Sequence, residues 1–254
     1  MVITICNEKG GSGKSTIVIN LASRFAQEKG CNLLLIDTDS QRSIETFTSI
    51  REYNGIKPTF SAITKLGSSL MKEIKSLENQ YNTILIDTGG RDSKETRQAL
   101  ILSNVVIVPC IASQFDIAVL DKMINILLEV KATINPNLKV FFVISRGTTN
   151  LFLAQKNNNL KNFILESFKE NDVGEDFILL DSVIHEREAY KNSIIDGLSI
   201  FEFCKESDKA YIEFETLYQE LFLNIYEASL KKMNLEKIYA DKLCDLQEKN
   251  LENF

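Results

Sequence analysis

Two lysines, three glycines and a serine–threonine pair crowd into ten residues, Asn7-Glu8-Lys9-Gly10-Gly11-Ser12-Gly13-Lys14-Ser15-Thr16. An apolar run, Val2 to Cys6, precedes them and a stretch of helical period follows. Glycines let a backbone close on a phosphate and aim successive N–H groups at it. A helix opening at Lys14 adds the positive end of its dipole. In this setting Gly10, Gly11, Ser12 and Gly13 form a cradle, Lys14 reaches the β- and γ-phosphates of a nucleotide, and the Ser15 hydroxyl ligates Mg2+. Thr16 completes the nucleotide-contacting set. The other lysine, Lys9, stands five residues upstream of Lys14 and does not insert into the same cradle. A charge aimed outward from the loop is available to a second active site, as a finger supplied in trans is.

Carboxylates end two further apolar runs. LLLIDTDSQ carries Asp37 and Asp39, two residues apart, so both can point the same way at a strand end. The carboxyl ends of parallel strands are where open α/β sheets bind ligands. Either aspartate could instead cap the helix that follows. TILIDTGG places Asp87 after four apolar-rich positions, the arrangement that puts a carboxylate on the metal side of a phosphate site. Gly89 and Gly90 leave room for a loop that changes shape with the γ-phosphate.

Six apolar, β-branched runs can position these groups: Val2–Cys6, Asn32–Asp37, Thr83–Asp87, Val105–Cys110, Lys139–Ile144 and Phe177–Val183. Their continuity predicts strands covered on both faces. Helical periods lie between them, at Lys14–Glu28, Ala62–Glu78, Lys94–Leu102, Ile117–Lys131, Leu151–Lys169 and Arg187–Ile195. Strands alternating with helices predict an α/β fold with a mostly parallel central sheet flanked by helices on both faces. From about Asp208 the chain reads as continuous helix. The expected organisation is one domain over residues 1–228 and an amphipathic helical tail over 229–254.

The 254 residues include 25% charged and 44% hydrophobic residues, ordinary values for a globular chain. No apolar run approaches the roughly 18 residues of a membrane span, and the N-terminus lacks a basic leader, so a cytoplasmic protein is expected. Five scattered cysteines and the single His185 offer no metal-cluster spacing. A net charge of −6 means that any contact with nucleic acid must come from a local basic patch.

The ten-residue loop lacks the first glycine of the common GxxxxGK[ST] pattern, where Glu8 stands, and carries Lys9 instead. It resembles the deviant Walker A motif of the ParA/MinD family of ATPases. GGRDSKETRQALILSNVVIVPC, with Pro109 after VVIV, is similar to the small ParF-like plasmid-partition branch. SVIHEREAYKNSIIDGLSIFEF matches a late family segment through Ile184, Arg187, Tyr190, Asp196, Gly197 and Phe201. The resemblance covers roughly residues 1–225.

The resemblance implies a P-loop fold, ATP and Mg2+ as cofactors, and an ATP-dependent homodimer in which Lys9 touches the nucleotide of the other subunit. It implies that Asp39 positions the attacking water and that Asp37 supports Mg2+ through its water shell, with Ser40 where the family usually has proline. Arg146, in FFVISRGT, falls where such folds meet the adenine. Slow hydrolysis stimulated by a centromere-binding adaptor of ParB-like or ribbon-helix-helix type, non-specific binding of duplex DNA, and association with the nucleoid in the ATP state are further implications. Arg187 and Lys191, four residues apart on a predicted helix, and Lys161 on the preceding one, are candidate DNA contacts. The family also includes ATPases that position protein cargo and MinD-like membrane-associated ones. The mixed charge of the tail argues against stable membrane association, and Cys110 alone cannot supply the cluster ligands of an iron-protein reductase.

Overall fold

The computed structural model describes residues 1–67, 70–112, 116–150 and 154–226. Seven strands form one sheet: β1 (Val2–Ile5), β2 (Leu33–Asp37), β3 (Ser61–Thr64), β4 (Thr83–Asp87), β5 (Val105–Cys110), β6 (Lys139–Gly147) and β7 (Phe177–His185). Their order is β3-β2-β4-β1-β5-β6-β7, and every neighbouring pair is parallel. Connections run from β1 outward in one direction and from β4 back across it in the other. The chain reversal therefore opens a crevice above the carboxyl end of β1, the position at which such sheets take ligands.

Helices cover both faces. Against one lie α3 (Leu70–Leu77), α4 (Lys94–Leu102), α5 (Asp116–Thr133) and α6 (Ala154–Glu170). Against the other lie α1 (Lys14–Phe25), α2 (Ser43–Tyr53), α7 (Glu188–Ile195) and the short α8 (Ile200–Phe203). Alternate strand residues serve the two layers: Val2, Leu34, Ile36, Ile84, Ile86, Val106 and Phe142 pack on the first, while Ile3, Ile5, Leu35, Leu85 and Phe141 are buried on the other side. β1, β2, β4 and β5 are buried at every position. This explains why they read as continuous apolar runs rather than as alternation. Residues 209–226 are helical.

By internal compactness the chain divides into Met1–Leu217 and a unit starting at Tyr218. Within the described part of the second unit, Tyr218, Phe222 and Tyr226 stack one turn apart, with ring centroids 6.2 and 6.5 Å from each other. The tail expected over residues 229–254 lies outside the described residues.

Two elements correct the sequence expectations. The segment 62–78 is not one helix. Ser61–Thr64 is an edge strand paired with β2, Gly67 takes a left-handed φ of 95°, and the helix starts only at Leu70. The second is α2, which the apolar pattern failed to announce. Its buried positions are Ile44, Phe47 and Arg51, a helical spacing in which one of three inward residues is charged. Arg51 is 3% exposed and donates to the Gly197 and Lys57 carbonyls and to both oxygens of Glu202. A guanidinium with both terminal nitrogens bonded in this way can occupy a core position that hydrophobic periodicity does not flag.

Candidate functional site

β1 ends at Ile5 and α1 begins at Lys14, so the ten-residue loop spans the switch point of the sheet. Gly11 and Gly13 take left-handed φ values of 73° and 87°, which other residues adopt only with strain. Gly13 is the N-cap of α1 and offers no side chain to its first N–H groups. A helix start with that geometry retains donors for an anion. The Ser12 hydroxyl is buried without a hydrogen-bond partner among the described residues. Asn7 anchors the loop at its entry, donating to the Pro109 carbonyl at 2.6 Å and accepting from the Lys9 N–H at 2.9 Å.

Lys14 is 6% exposed and its ammonium donates to the Lys9 carbonyl at 3.0 Å. Burial pulls its pKa below the ordinary lysine value, against the attraction of Asp87, Cys6 and Asp39. Lys9 is half-buried, and its peptide lies against Gly90: a Cβ on Gly90 would sit 2.9 Å from the Gly10 nitrogen and 3.3 Å from the Lys9 carbonyl carbon. Gly90 therefore lets the loop after β4 rest directly on the backbone of the first loop. The paired glycines were legible in the sequence, but this contact was not.

Asp37 and Asp87 are register partners on adjacent strands, and both are fully buried. Asp37 accepts from the Asp39 N–H at 2.9 Å and, with its other oxygen, from the Ile44 N–H at 3.0 Å. It thus caps α2 from a distance, in place of Arg42, whose left-handed backbone carries no capping side chain. Burial raises its pKa, opposed by those two N–H bonds. Asp39 accepts from the Gln41 N–H at 3.0 Å, and a Cβ on Gly89 would lie 3.6 Å from its Oδ1. Of the two alternatives for this pair, the capping role falls to Asp37 and Asp39 is left at the mouth of the crevice.

Asp87 differs from both. Neither of its oxygens has a hydrogen-bond partner of ordinary geometry among the described residues. Burial pushes its pKa up to about 7, with the Ser15 hydroxyl and the Lys14 ammonium acting in the opposite sense and Asp37 and Asp39 adding to the rise. A buried carboxylate in this state is a group lacking its counter-charge. A divalent cation held between Asp87, Ser15 and the water shell of Asp37 fits that deficit.

A cleft of about 1190 Å³ opens over the loop and Asp39. Its lining includes the loop Gly10–Thr16, Asp39, Gly89 and Gly90, together with Arg146 and residues 184–187 from the ends of β6 and β7. Arg146 is not beyond a strand, as expected, but inside the last turn of β6, at a register shift against β7. Its guanidinium reaches the Gly11 carbonyl at 3.1 Å and Glu186 at 2.5 Å. It touches the phosphate loop. Nothing in the sequence singled out Glu186.

The three candidate DNA contacts are engaged within the chain. Arg187 precedes α7 as its extended N-cap, so it does not share a helix face with Lys191, contrary to the spacing argument. It forms a two-pronged pair with Glu213, whose carboxylate also accepts a hydrogen bond from His185 Nδ1 at 2.9 Å. Lys191 pairs with Glu188 at 2.9 Å, and Lys161 donates to the Asp181 carbonyl at 3.1 Å. Glu213, on a helix more than twenty positions downstream of Arg187, gave no signal in the sequence.

A doubly wound parallel sheet, a glycine cradle at the switch point, a buried loop lysine and a metal-ready carboxylate together define a nucleotide-binding domain of P-loop type. Residues 3–200 match the CobQ/CobB/MinD/ParA nucleotide binding domain, and the chain belongs to that family. Protein ParA of Rhizobium radiobacter is 25% identical over 134 residues, 53% of this chain and 59% of that protein. Maintenance of carboxysome distribution protein A of Halothiobacillus neapolitanus is 20% identical over 223 residues, 86% of this chain and 95% of that protein. Among solved structures, a putative plasmid partition protein of Borrelia burgdorferi bound to AMPPNP shares the fold with a TM-score of 0.62, at 24% identity, covering 91% of this chain and 99% of that one. No helix among the described residues is long and apolar enough to cross a membrane.

Proposed function

We propose that this chain is a Mg2+-dependent ATPase of the partition type, whose active site is completed in an ATP-bound homodimer. The observation that carries the reading is Asp87: a fully buried carboxylate whose oxygens have no hydrogen-bond partner of ordinary geometry among the described residues, set beside Ser15 and Lys14 at the foot of a glycine cradle. Asp87 and Ser15, with Asp37 through water, would hold Mg2+, which would neutralise charge on the nucleotide oxygens. The N–H groups of the loop and the Lys14 ammonium stabilise the negative charge that builds on the transferred phosphoryl group. Asp39, at the mouth of the crevice and next to the Gly89 backbone, holds the attacking water in line. Lys9, fixed by its own N–H and carbonyl, extends toward the nucleotide of the second subunit. Arg146 contributes to the nucleotide site from the end of β6.

Hydrolysis is slow without a partner, and ATP sets the lifetime of the dimer. In this reading the dimer binds duplex DNA non-specifically, and an adaptor protein bound to a plasmid or chromosomal centromere stimulates hydrolysis. Lys191, the most exposed of the three candidate contacts, is the first to test for DNA. The match over 86% of the chain to a carboxysome-distribution protein supports a second reading, in which the same switch positions a protein cargo. Replacing Lys9 by alanine tests the shared site. Hydrolysis and ATP-dependent dimerisation fall at least tenfold, while ADP binding by the monomer stays within about twofold. Equal loss of all three would assign Lys9 to its own subunit's nucleotide.

A further inference from the structure

We infer that Arg146, held by Glu186, is a positioning residue that locks the Gly11–Ser12 peptide of the phosphate loop in its anion-binding orientation. The inference rests on reading residues 10–16 as a phosphate cradle. Four features of the structure lead to it.

The first is the backbone of Arg146. Its φ of 52° lies in the left-handed region, a strained conformation for an arginine in a strand. The strain comes from the register. Ser145 pairs with Ile184 and Gly147 with His185, so Arg146 has no partner on β7 and is thrown out of the ladder. The second is how tightly this bulge is held. A Cβ on Gly147 would sit 2.6 Å from Val183, and Glu186 N–H donates to the Gly147 carbonyl at 2.8 Å. On the other side Ser145 is 2% exposed, with its hydroxyl against the turn of the phosphate loop: a Cβ on Gly13 would lie 2.7 Å from it. The bulge is thus docked onto the loop at two places, Gly11 and Gly13.

The third is the bond itself. Arg146 Nη1 donates to the Gly11 carbonyl at 3.1 Å. The described residues contain no cis peptide bond. In a trans peptide the C=O and the following N–H point in opposite directions. Holding the Gly11 oxygen against the guanidinium therefore turns the Ser12 N–H away from it, into the loop, where Ser12 is 1% exposed. Gly11, at a φ of 73°, is a residue for which the reverse orientation of that peptide is equally accessible. An external hold on the carbonyl decides between the two. The fourth is Glu186, whose carboxylate takes the other arm of the guanidinium at 2.5 Å, with Lys191 3.9 Å from the same oxygen. It fixes the direction of Arg146 so that one arm remains on Gly11.

The test separates the lock from folding and from direct contact with the terminal phosphate. Arg146→Gly relieves the left-handed strain, because glycine adopts this φ freely, so the thermal midpoint stays level or rises by a few degrees. Calorimetric titration with ADP and with ATP should nevertheless show both dissociation constants raised by the same factor, about tenfold, the loss of one charge-assisted hydrogen bond. Arg146→Lys recovers part of that loss, and Glu186→Gln gives a smaller rise of the same pattern. An Arg146→Gly chain that binds both nucleotides within twofold of the unaltered protein overturns the inference. So does a loss confined to ATP, which would make Arg146 a direct contact to the terminal phosphate. Failure of the unaltered chain to bind ADP would instead overturn the cradle reading.

Discussion

Asp87 shows how a site residue can work against the fold that holds it. Its burial raises its pKa to about 7 from the ordinary 3.8, so the folded state binds more protons than the unfolded state between those values. Stability from this group is therefore greatest below about pH 4, falls as pH rises toward 7, and stays at its low level above. Asp87→Asn removes the uncompensated charge. Urea unfolding at pH 8 without nucleotide or metal should show the variant more stable, by up to about 4 kcal/mol. The gap should close toward pH 4. A variant less stable than the parent at pH 8 would mean that Asp87 is satisfied in the empty protein. Residue types at this scale were legible from the chain: Lys14, Ser15, Asp37, Asp39 and Asp87 were identified by spacing, and the fold brings the other four within electrostatic reach of Asp87. Their division of labour was not. That Asp37 spends both oxygens on backbone N–H groups follows only from the turn into α2.

At the scale of elements, α2 connects the carboxylate loop to the opposite layer of the protein. It begins under the cap of Asp37 and, two turns on, buries Arg51 against Glu202 of α8 and the Gly197 carbonyl. Gly197 must be glycine here, since its φ is 71° and a Cβ would fall 2.9 Å from the Arg51 nitrogen. Glu202 also closes a capping box with Ser199. Burial raises its pKa, but the bonds from Arg51 and Ser199 outweigh that, and the net shift is downward. The pair's contribution is therefore complete above the ordinary carboxylate value of 4.5 and is lost as pH falls through the lower folded value. Arg51→Leu should cost about 3 kcal/mol in urea at pH 7, because it strands Glu202 and two carbonyls. Glu202→Gln should cost less, and its deficit should shrink once pH falls below the ordinary carboxylate value of 4.5 and vanish below the lower folded one. A constant deficit across that range would assign the loss to packing. The apolar pattern missed α2 for the same reason that Arg51 matters. Periodicity registers hydrophobic side chains, and here a charged one occupies the inward position.

At the scale of the whole molecule, the prediction concerns assembly. If Asp39 holds the attacking water, Asp39→Ala should slow ATP hydrolysis by at least a hundredfold while leaving the nucleotide cradle intact. Size-exclusion chromatography should then find the variant as a dimer with ATP and a monomer with ADP. Gel retardation of random duplex DNA should follow the dimer and weaken steeply with salt. A monomer in ATP would remove either the dimer or the role of Asp39, and a dimer without retardation would favour the protein-cargo reading. The acidic net charge of −6 makes the salt test demanding, since only a local patch can attract the duplex.

The sequence by itself determined the sheet's central strands, the phosphate loop and the carboxylates facing it. These depend on local properties: continuous apolar runs, glycines where the backbone must turn left-handed, and charged residues at strand ends. Tertiary structure alone decided what crosses between segments. It set Gly90 on the backbone of Gly10, brought Arg146 against the phosphate loop, and occupied Arg187 with Glu213. Each of these contacts joins residues about 25 to 135 positions apart. Which side chains meet at that separation is fixed by strand order and register, neither of which is written into any one stretch of the chain.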